Sequence, residues 1–117
     1  MSEALQEFLQ ANLPLEGLAA WGARLPDGTW LTRCYNDGFT AAQVEQLATS
    51  LVVAARGLDP YGLQPVRLCW VFEHARLHLA LRREGDCLAL LMENRPELAN
   101  AEVDRVLDAF EELPRSW

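Results

Sequence analysis

The chain has 117 residues, half of them apolar, which is enough for one compact domain with its own core. Its net charge of −7 argues against a nucleic-acid or anionic-membrane partner, and the absence of lysine excludes a P-loop lysine and a Schiff base. No apolar run reaches the roughly 18 residues that cross a bilayer, and the acidic start does not resemble a signal peptide. We therefore expect a cytoplasmic protein without membrane insertion.

The first part of the chain predicts a helix followed by a hairpin. Apolar residues at helical spacing favour a short helix from Ser2 to Gln10. Two strand-like segments, Leu18 to Leu25 and Thr29 to Tyr35, then flank Pro26-Asp27-Gly28. Proline sets the first dihedral angle of a turn and glycine permits a positive one, so this combination predicts a β-hairpin.

A longer helix follows the hairpin. Thr40 and Gln43 have the spacing of a capping box, which predicts the start of the helix. The helix runs to about Arg56, and Gly57 is its predicted left-handed C-cap. Its apolar stripe is broad and consists of Val44, Leu47, Ala48, Leu51, Val52 and Ala55. This stripe is wide enough that part of it can stay uncovered by the sheet and contact another chain.

The second half predicts three strands and a closing helix. The strands extend roughly from Val66 to Phe72, Arg76 to Arg83 and Cys87 to Glu93, and the helix from Ala101 to Leu113 with Asn100 as its cap. The third strand is apolar on both faces, which is typical of a central strand. The predicted order is α-β-β-α-β-β-β-α, an α+β domain of two or three layers over residues 1–117.

The sequence gives no convincing catalytic, cofactor or metal site. His74 and His78 have metal-ligand spacing for a helix, but in a strand they lie about 13 Å apart, too far for one metal ion. Cys34, Cys69 and Cys87 have no C-x-x-C spacing and read as small buried side chains. Cys69 and His78 could meet across neighbouring strands, where packing is their expected role. We therefore expect a protein that is not an enzyme and binds no cofactor.

Two features favour binding to another protein. The first strand of the predicted meander can be a sheet edge, and an apolar edge aggregates unless something pairs with it. A second copy of the chain would pair with it by two-fold symmetry. In the closing helix, Asp108, Glu111 and Glu112 lie near the negative end of the helix dipole. These acids are either a solubilising surface or a patch that binds arginines or lysines of a partner.

The whole pattern resembles the roadblock / dynein light chain family. The resemblance rests on the hairpin LEGLAAWGARLPDGTWLTR, the helix FTAAQVEQLATSLVVAARGL, the strands VRLCWVFEHARLHLALRREGDCLALLME and the helix AEVDRVLDAF. It implies a five-stranded antiparallel sheet between helices, and a homodimer in which edge strands and central helices pair. The dimer interface implied for this chain comprises Leu47, Leu51, Ala54, Val66, Leu68, Trp70 and Phe72.

The resemblance also implies a function. Family members are non-catalytic platforms that regulate small Ras-like GTPases or act as adaptors in signalling and motor complexes. Secretion chaperones are an alternative, since they are also small, acidic α/β homodimers that bind effector proteins. They usually have three strands before the middle helix and two after it, whereas this sequence predicts two before and three after. A ligand-sensing domain of related profilin-like architecture is a further alternative.

Overall fold

The structure is a computed structural model that describes residues 3–82, 84–95 and 100–113. Its elements follow the predicted order, with two strands before the middle helix and three after it. They are α1 (Glu3–Asn12), β1 (Leu18–Arg24), β2 (Trp30–Cys34), α2 (Ala41–Arg56), a 3-10 turn (Asp59–Tyr61), β3 (Arg67–Val71), β4 (Ala75–Leu81), β5 (Cys87–Glu93) and α3 (Ala101–Glu111). The predicted fold class is confirmed. In the described residues, no helix has the length and apolar character needed to cross a membrane.

The five strands form one antiparallel sheet in the order β2-β1-β5-β4-β3. Helix α2 packs on one face of this sheet, and α1 and α3 pack on the other. Strand β5 lies at the centre: Leu88 and Leu90 face α1 and α3, whereas Ala89 and Leu91 face α2. A strand covered on both faces must be apolar throughout, and the prediction of a central third strand is confirmed.

The ends of α2 show how far local signals determine the chain path. The capping box is present, because Gln43 N donates to Thr40 Oγ1 at 3.2 Å and Thr40 N donates to Gln43 Oε1 at 2.9 Å. The predicted left-handed conformation of Gly57 is wrong, since its φ is −60°. The chain instead continues into the 3-10 turn and reaches a left-handed residue only at Gly62, with φ +74°.

One other predicted boundary feature differs from the structure, and two predicted ends are not tested by it. The closing helix has no side-chain cap, because the Asn100 amide oxygen accepts a hydrogen bond from Arg76 instead. The predicted ends at Ser2 and Arg83 lie outside the described residues. The hairpin turn is as predicted: Gly28 has φ +91°, and Leu25 N donates to Thr29 O at 2.8 Å.

Candidate interface at the β3 edge

Strand β3 is an edge of the sheet and bonds to β4 along one side only. Leu68 pairs with Leu79 and Trp70 with Leu77 in the antiparallel register. The bonds beyond the strand ends continue this pattern, since Leu81 N donates to Val66 O at 2.9 Å and Phe72 N donates to Ala75 O at 2.7 Å. The even-numbered residues from 66 to 72 therefore direct their backbone groups toward β4.

The odd-numbered residues of β3 direct their backbone groups toward the outside of the sheet. Backbone groups alternate direction along an antiparallel strand, so the N–H and C=O groups of Arg67, Cys69 and Val71 point away from β4. In the part of the chain that the structure describes, no strand pairs with this side. The prediction that the first meander strand is an edge is thus confirmed.

The edge is also apolar. Val66, Trp70 and Phe72 are 58%, 40% and 40% exposed and share the α2 face of β3, where the two aromatic rings pack edge to face at 6.3 Å. Val71 is 68% exposed on the opposite face. Leu68 is half-buried against the α2-side core. A contiguous apolar surface of this kind is typical of protein–protein interaction sites.

The outer surface of α2 adds apolar residues near the same side of the molecule. Ala54 is exposed and Leu47 is half-buried, as an interface would require. Leu51, however, is 0% exposed and packs against the sheet, so it has no surface to offer a second chain. We exclude Leu51 from the interface that the resemblance implied. Val53, on the same turn of the helix, is an apolar residue that is 65% exposed.

On the other face, an arginine links the edge strand to α3. Arg67 Nη2 lies 2.7 Å from Asp108 Oδ1 and 3.0 Å from Glu111 Oε1, and Nη1 lies 3.9 Å from Asp104 Oδ1. Burial opposes its charge, but the hydrogen bonds to Asp108 and Glu111 outweigh that effect and raise the pKa of Arg67. Glu112 is exposed nearby. Two of the three acids predicted to bind a partner thus already bind Arg67, and their role in partner binding stays a prediction.

Cys69 and His78 meet across β3 and β4, with Sγ 4.0 Å from Nε2. Burial lowers the pKa of His78, and burial raises the pKa of the Cys69 thiol. Both groups are therefore neutral near pH 7, and the pair lacks the thiolate that a nucleophile needs. His74 is exposed at the β3–β4 turn. In the described residues, no three potential ligand side chains converge on one point within a single chain.

An open surface groove of about 700 Å³ lies beside the start of β3 and is lined by Arg56, Val66 and Arg82 among others. Near it, the buried Asp86 carboxylate lies 3.1 Å from Arg82 Nε. Burial raises the pKa of Asp86, whereas the Arg82 charge opposes that shift. A lone carboxylate bound to arginine is a structural ion pair and provides no second group for acid–base catalysis.

Three residues of this site were missed by the sequence reasoning: Arg67, Val71 and Val53. Arg67 had a signal, since it is the one charged side chain in an apolar edge strand and α3 carries acids three to four residues apart. No local signal predicted that Val71 and Val53 would be exposed. Their exposure depends on which strand ends the sheet and how α2 lies across it.

Neither a protein-family model nor a curated protein sequence matches the chain. Solved structures do match over most of its length. Myxococcus xanthus MglB superposes with a TM-score of 0.66 at 10% identity, covering 96% of this chain and 90% of that one. The Roadblock/LC7 domain from Streptomyces avermitilis gives 0.62 at 16% identity, covering 93% and 92%.

The chain has the roadblock fold. A third structure, an MglB with tetrameric arrangement, gives a TM-score of 0.59 at 19% identity and covers 93% of this chain and 83% of that one. The fold implied by the resemblance is therefore confirmed, with α2 alone on one face of the sheet. At these identities the roadblock fold is what the similarity establishes.

Proposed function

We propose that this roadblock-fold protein is a cytoplasmic, non-catalytic homodimeric platform that binds and regulates a small Ras-like GTPase or scaffolds a signalling complex. The observation that carries the proposal is the β3 edge, where outward backbone groups coincide with the exposed apolar side chains of Val66, Trp70, Val71 and Phe72. An edge of this composition is an aggregation site unless a specific partner covers it.

A second copy of the chain is the partner that fits this edge. Arg67 is the one charged side chain within β3, and the carboxylates of α3 neutralise it within its own chain. The side chains of β3 itself therefore carry no unpaired charge that would repel an identical strand, although α3 beside it is acidic and each chain carries −7 overall. Antiparallel addition of β3 to its copy would also bring the outer surfaces of α2, with Val53 and Ala54, near one another. A tetrameric arrangement in one roadblock-fold neighbour is in keeping with self-assembly.

The surface left for a further partner is acidic. Asp104, Asp108 and Glu111 surround the single guanidinium of Arg67, so their charges exceed its own, and Glu112 adds another exposed carboxylate. Exposed carboxylates of one sign steer association with basic surfaces and form charge-assisted hydrogen bonds to arginine. We assign Asp108, Glu111 and Glu112 to binding of a basic patch on the GTPase or another partner.

A regulatory role agrees with the chemistry of the described side chains. The Cys69 thiol and the His78 imidazole are neutral, and Asp86 is bound by Arg82, so these three groups have packing or ion-pair roles. Regulation through binding requires only a surface. The family resemblance supplies the class of partner, a Ras-like GTPase.

The test is titration of the dimer into a small GTPase encoded in the same genome, preferably by an adjacent gene. Isothermal calorimetry measures binding, and phosphate release measures GTP hydrolysis. We expect binding and an altered hydrolysis rate, with binding weakened about fivefold by Asp108→Asn combined with Glu112→Gln, because rim charges contribute about 1 kcal/mol together. Glu7→Gln with Glu16→Gln is the matched control, since these acids are exposed in and after α1. Absence of both binding and altered hydrolysis with every such GTPase contradicts the regulatory role.

A further inference from the structure

We infer that two copies of this chain pair through β3 with the two-fold axis at Cys69, so that Cys69 of one chain lies directly opposite Cys69 of the other. The inference rests on the proposed homodimer and specifies its register. It follows from which backbone groups are available at the edge.

The backbone groups that point outward from β3 belong to three residues, which are spaced symmetrically about Cys69. Arg67, Cys69 and Val71 each direct an N–H and a C=O away from β4. In a two-fold antiparallel pair, residue i faces residue j of the copy, and residue j faces residue i. The three outward residues pair only with one another if Cys69 faces itself and Arg67 faces Val71. Each hydrogen-bonded pair exchanges two bonds, so this register makes about six backbone bonds.

Each of the two neighbouring registers leaves an outward backbone group of β3 without a regular partner. With the axis at Leu68, Val71 would face Pro65, which has no N–H to donate. With the axis at Trp70, Arg67 would face Glu73, which lies beyond the end of β3 in the turn to β4. The Glu73 carbonyl is also within 3.5 Å of the Asn94 side-chain amide of its own chain. The axis at Cys69 is therefore the register that the edge can satisfy fully.

The same register covers the exposed side chains on both faces of β3. On the α2 face, Trp70 would lie beside Leu68 of the copy, in a close pair without backbone bonds whose Cα atoms are about 4.5 Å apart. On the opposite face, Val71 would lie along the aliphatic part of Arg67 of the copy, whose guanidinium stays bound to Asp108 and Glu111.

The position of Cys69 makes the register measurable. Directly opposed residues in a hydrogen-bonded pair have Cα atoms about 5.5 Å apart, within the range of about 4.4–6.8 Å that a disulfide spans. In either neighbouring register the two Cys69 residues become diagonal neighbours about 7–8 Å apart, which is too far for a disulfide. A small oxidant should therefore link the two thiols only with the axis at Cys69.

The experiment is oxidation of the dimer with diamide in a Cys34→Ser background. Two Cys69 thiols form one S–S bond and pass two electrons and two protons to diamide, which becomes its hydrazine. Cys87 does not compete, because it is fully buried and burial raises its pKa to about 12. Non-reducing electrophoresis and peptide mass spectrometry should show most of the protein linked Cys69 to Cys69, to an extent that does not change on dilution while the dimer persists.

A matched variant moves the thiol along the same edge. In Cys69→Ser combined with Val71→Cys, the new thiol is more exposed but faces Arg67 of the copy, so the two position-71 thiols are four residues out of register. We expect at least tenfold less cross-linked dimer than for Cys69. Sedimentation under reducing conditions reports the oligomeric state of both proteins independently of the oxidant.

The outcomes separate the register from the dimer itself. A reduced protein that sediments as a dimer but does not link through Cys69, or that links equally through position 71, overturns the register and leaves the homodimer intact. A monomer at every concentration overturns both. A dimer that links at Cys69 and not at position 71 supports both.

Discussion

The sheet has two edge strands, β2 and β3, and each is five residues long. At β2, α2 packs across the strand, and Thr32 Oγ1 donates to Glu45 Oε2 of α2 at 3.0 Å. On its other face, the Arg33 guanidinium lies 5.3 Å from the Tyr35 ring centre, and Trp21 Nε1 donates to the Tyr35 hydroxyl at 3.1 Å. These side chains at the β2 edge thus have partners within the chain, although β2, like β3, pairs with another strand on one side only in the described residues.

At β3, the exposed side chains are mostly apolar and the described chain does not cover them. Helix α2 packs on β1, β2 and β4, and Leu68 is the residue of β3 that reaches the core beneath it. The difference shows that strand length does not decide the fate of an edge. At β2 the side chains contact α2 and neighbouring residues, whereas at β3 apolar side chains remain exposed, which is the feature that the proposed dimer would cover.

The largest effect should come from placing a charge on the β3 edge. Trp70→Glu should weaken dimerisation by about 2–4 kcal/mol, roughly 30- to 1000-fold in the dissociation constant, because a buried aromatic contact is replaced by an unpaired carboxylate. Sedimentation equilibrium measures this change. Tyr35→Glu is the control, because Tyr35 follows β2 and is 37% exposed, close to the 40% of Trp70. Equal dissociation by both variants would refute the distinction between the edges.

A smaller effect is expected on the outer surface of α2. Ala54→Glu should weaken the dimer by about 1–2 kcal/mol, since each new carboxylate would be partly desolvated near its copy. Ala42→Glu is the control on the first turn of the same helix, where the residue is exposed beside Trp30 and the helix dipole favours an acid. If Ala54→Glu and Ala42→Glu dimerise alike, α2 lies outside the interface and β3 acts without it.

At β2, loss of the link to α2 should affect the stability of the single chain rather than assembly. Thr32→Val removes the hydrogen bond to Glu45 and should lower the free energy of unfolding by about 0.5–1.5 kcal/mol. Urea denaturation in the Trp70→Glu background measures this change without the contribution of the dimer. Glu45→Gln keeps an acceptor oxygen and should cost less. If Thr32→Val instead weakened dimerisation and left the free energy of unfolding unchanged, the second chain would bind at β2 and not at β3.

The smallest effect concerns pH, and it also concerns the β3 side of the sheet, because His78 of β4 is paired with Cys69 of β3. Burial lowers the pKa of His78 from 6.5, the nearby Arg76 and Arg67 lower it further, and Asp104 opposes them. The folded chain then binds fewer protons than the unfolded chain just below pH 6.5, so the free energy of unfolding should fall as the pH drops through that value. His78→Asn should remove this part of the slope in urea denaturation, and the exposed His74→Asn should retain it. Identical slopes in the parent and in His78→Asn would contradict the assignment.

Much of the fold could be predicted because its signals are local. The capping box at Thr40 and Gln43, the glycine turn at Gly28 and the doubly apolar strand β5 depend on neighbours within a few residues. Gly57 shows the limit of such signals. A glycine after a helix predicts a left-handed cap, but the chain here continues into a 3-10 turn and keeps φ negative.

The candidate site was only partly predictable because its contacts join distant parts of the chain. The period-two pattern correctly grouped Val66, Trp70 and Phe72 on one face. The helical stripe could not separate Leu51, which is fully buried, from Val53, which is exposed. That division depends on the direction from which the sheet approaches α2. The binding of Arg67 to Asp108 joins residues 41 positions apart and has no local signature.

The sequence by itself determined the order of the elements, the two faces of each strand and the acidity of α3, because periodicity and turn geometry act over a few residues. The tertiary structure decided which side chains remain for a partner. Pairing of β1 with β5 closes the middle of the sheet and places β3 at its rim, and α2 then crosses β1, β2 and β4. The outward backbone groups of β3 have no strand partner in the described residues because of strand pairing elsewhere in the chain, outside β3 itself.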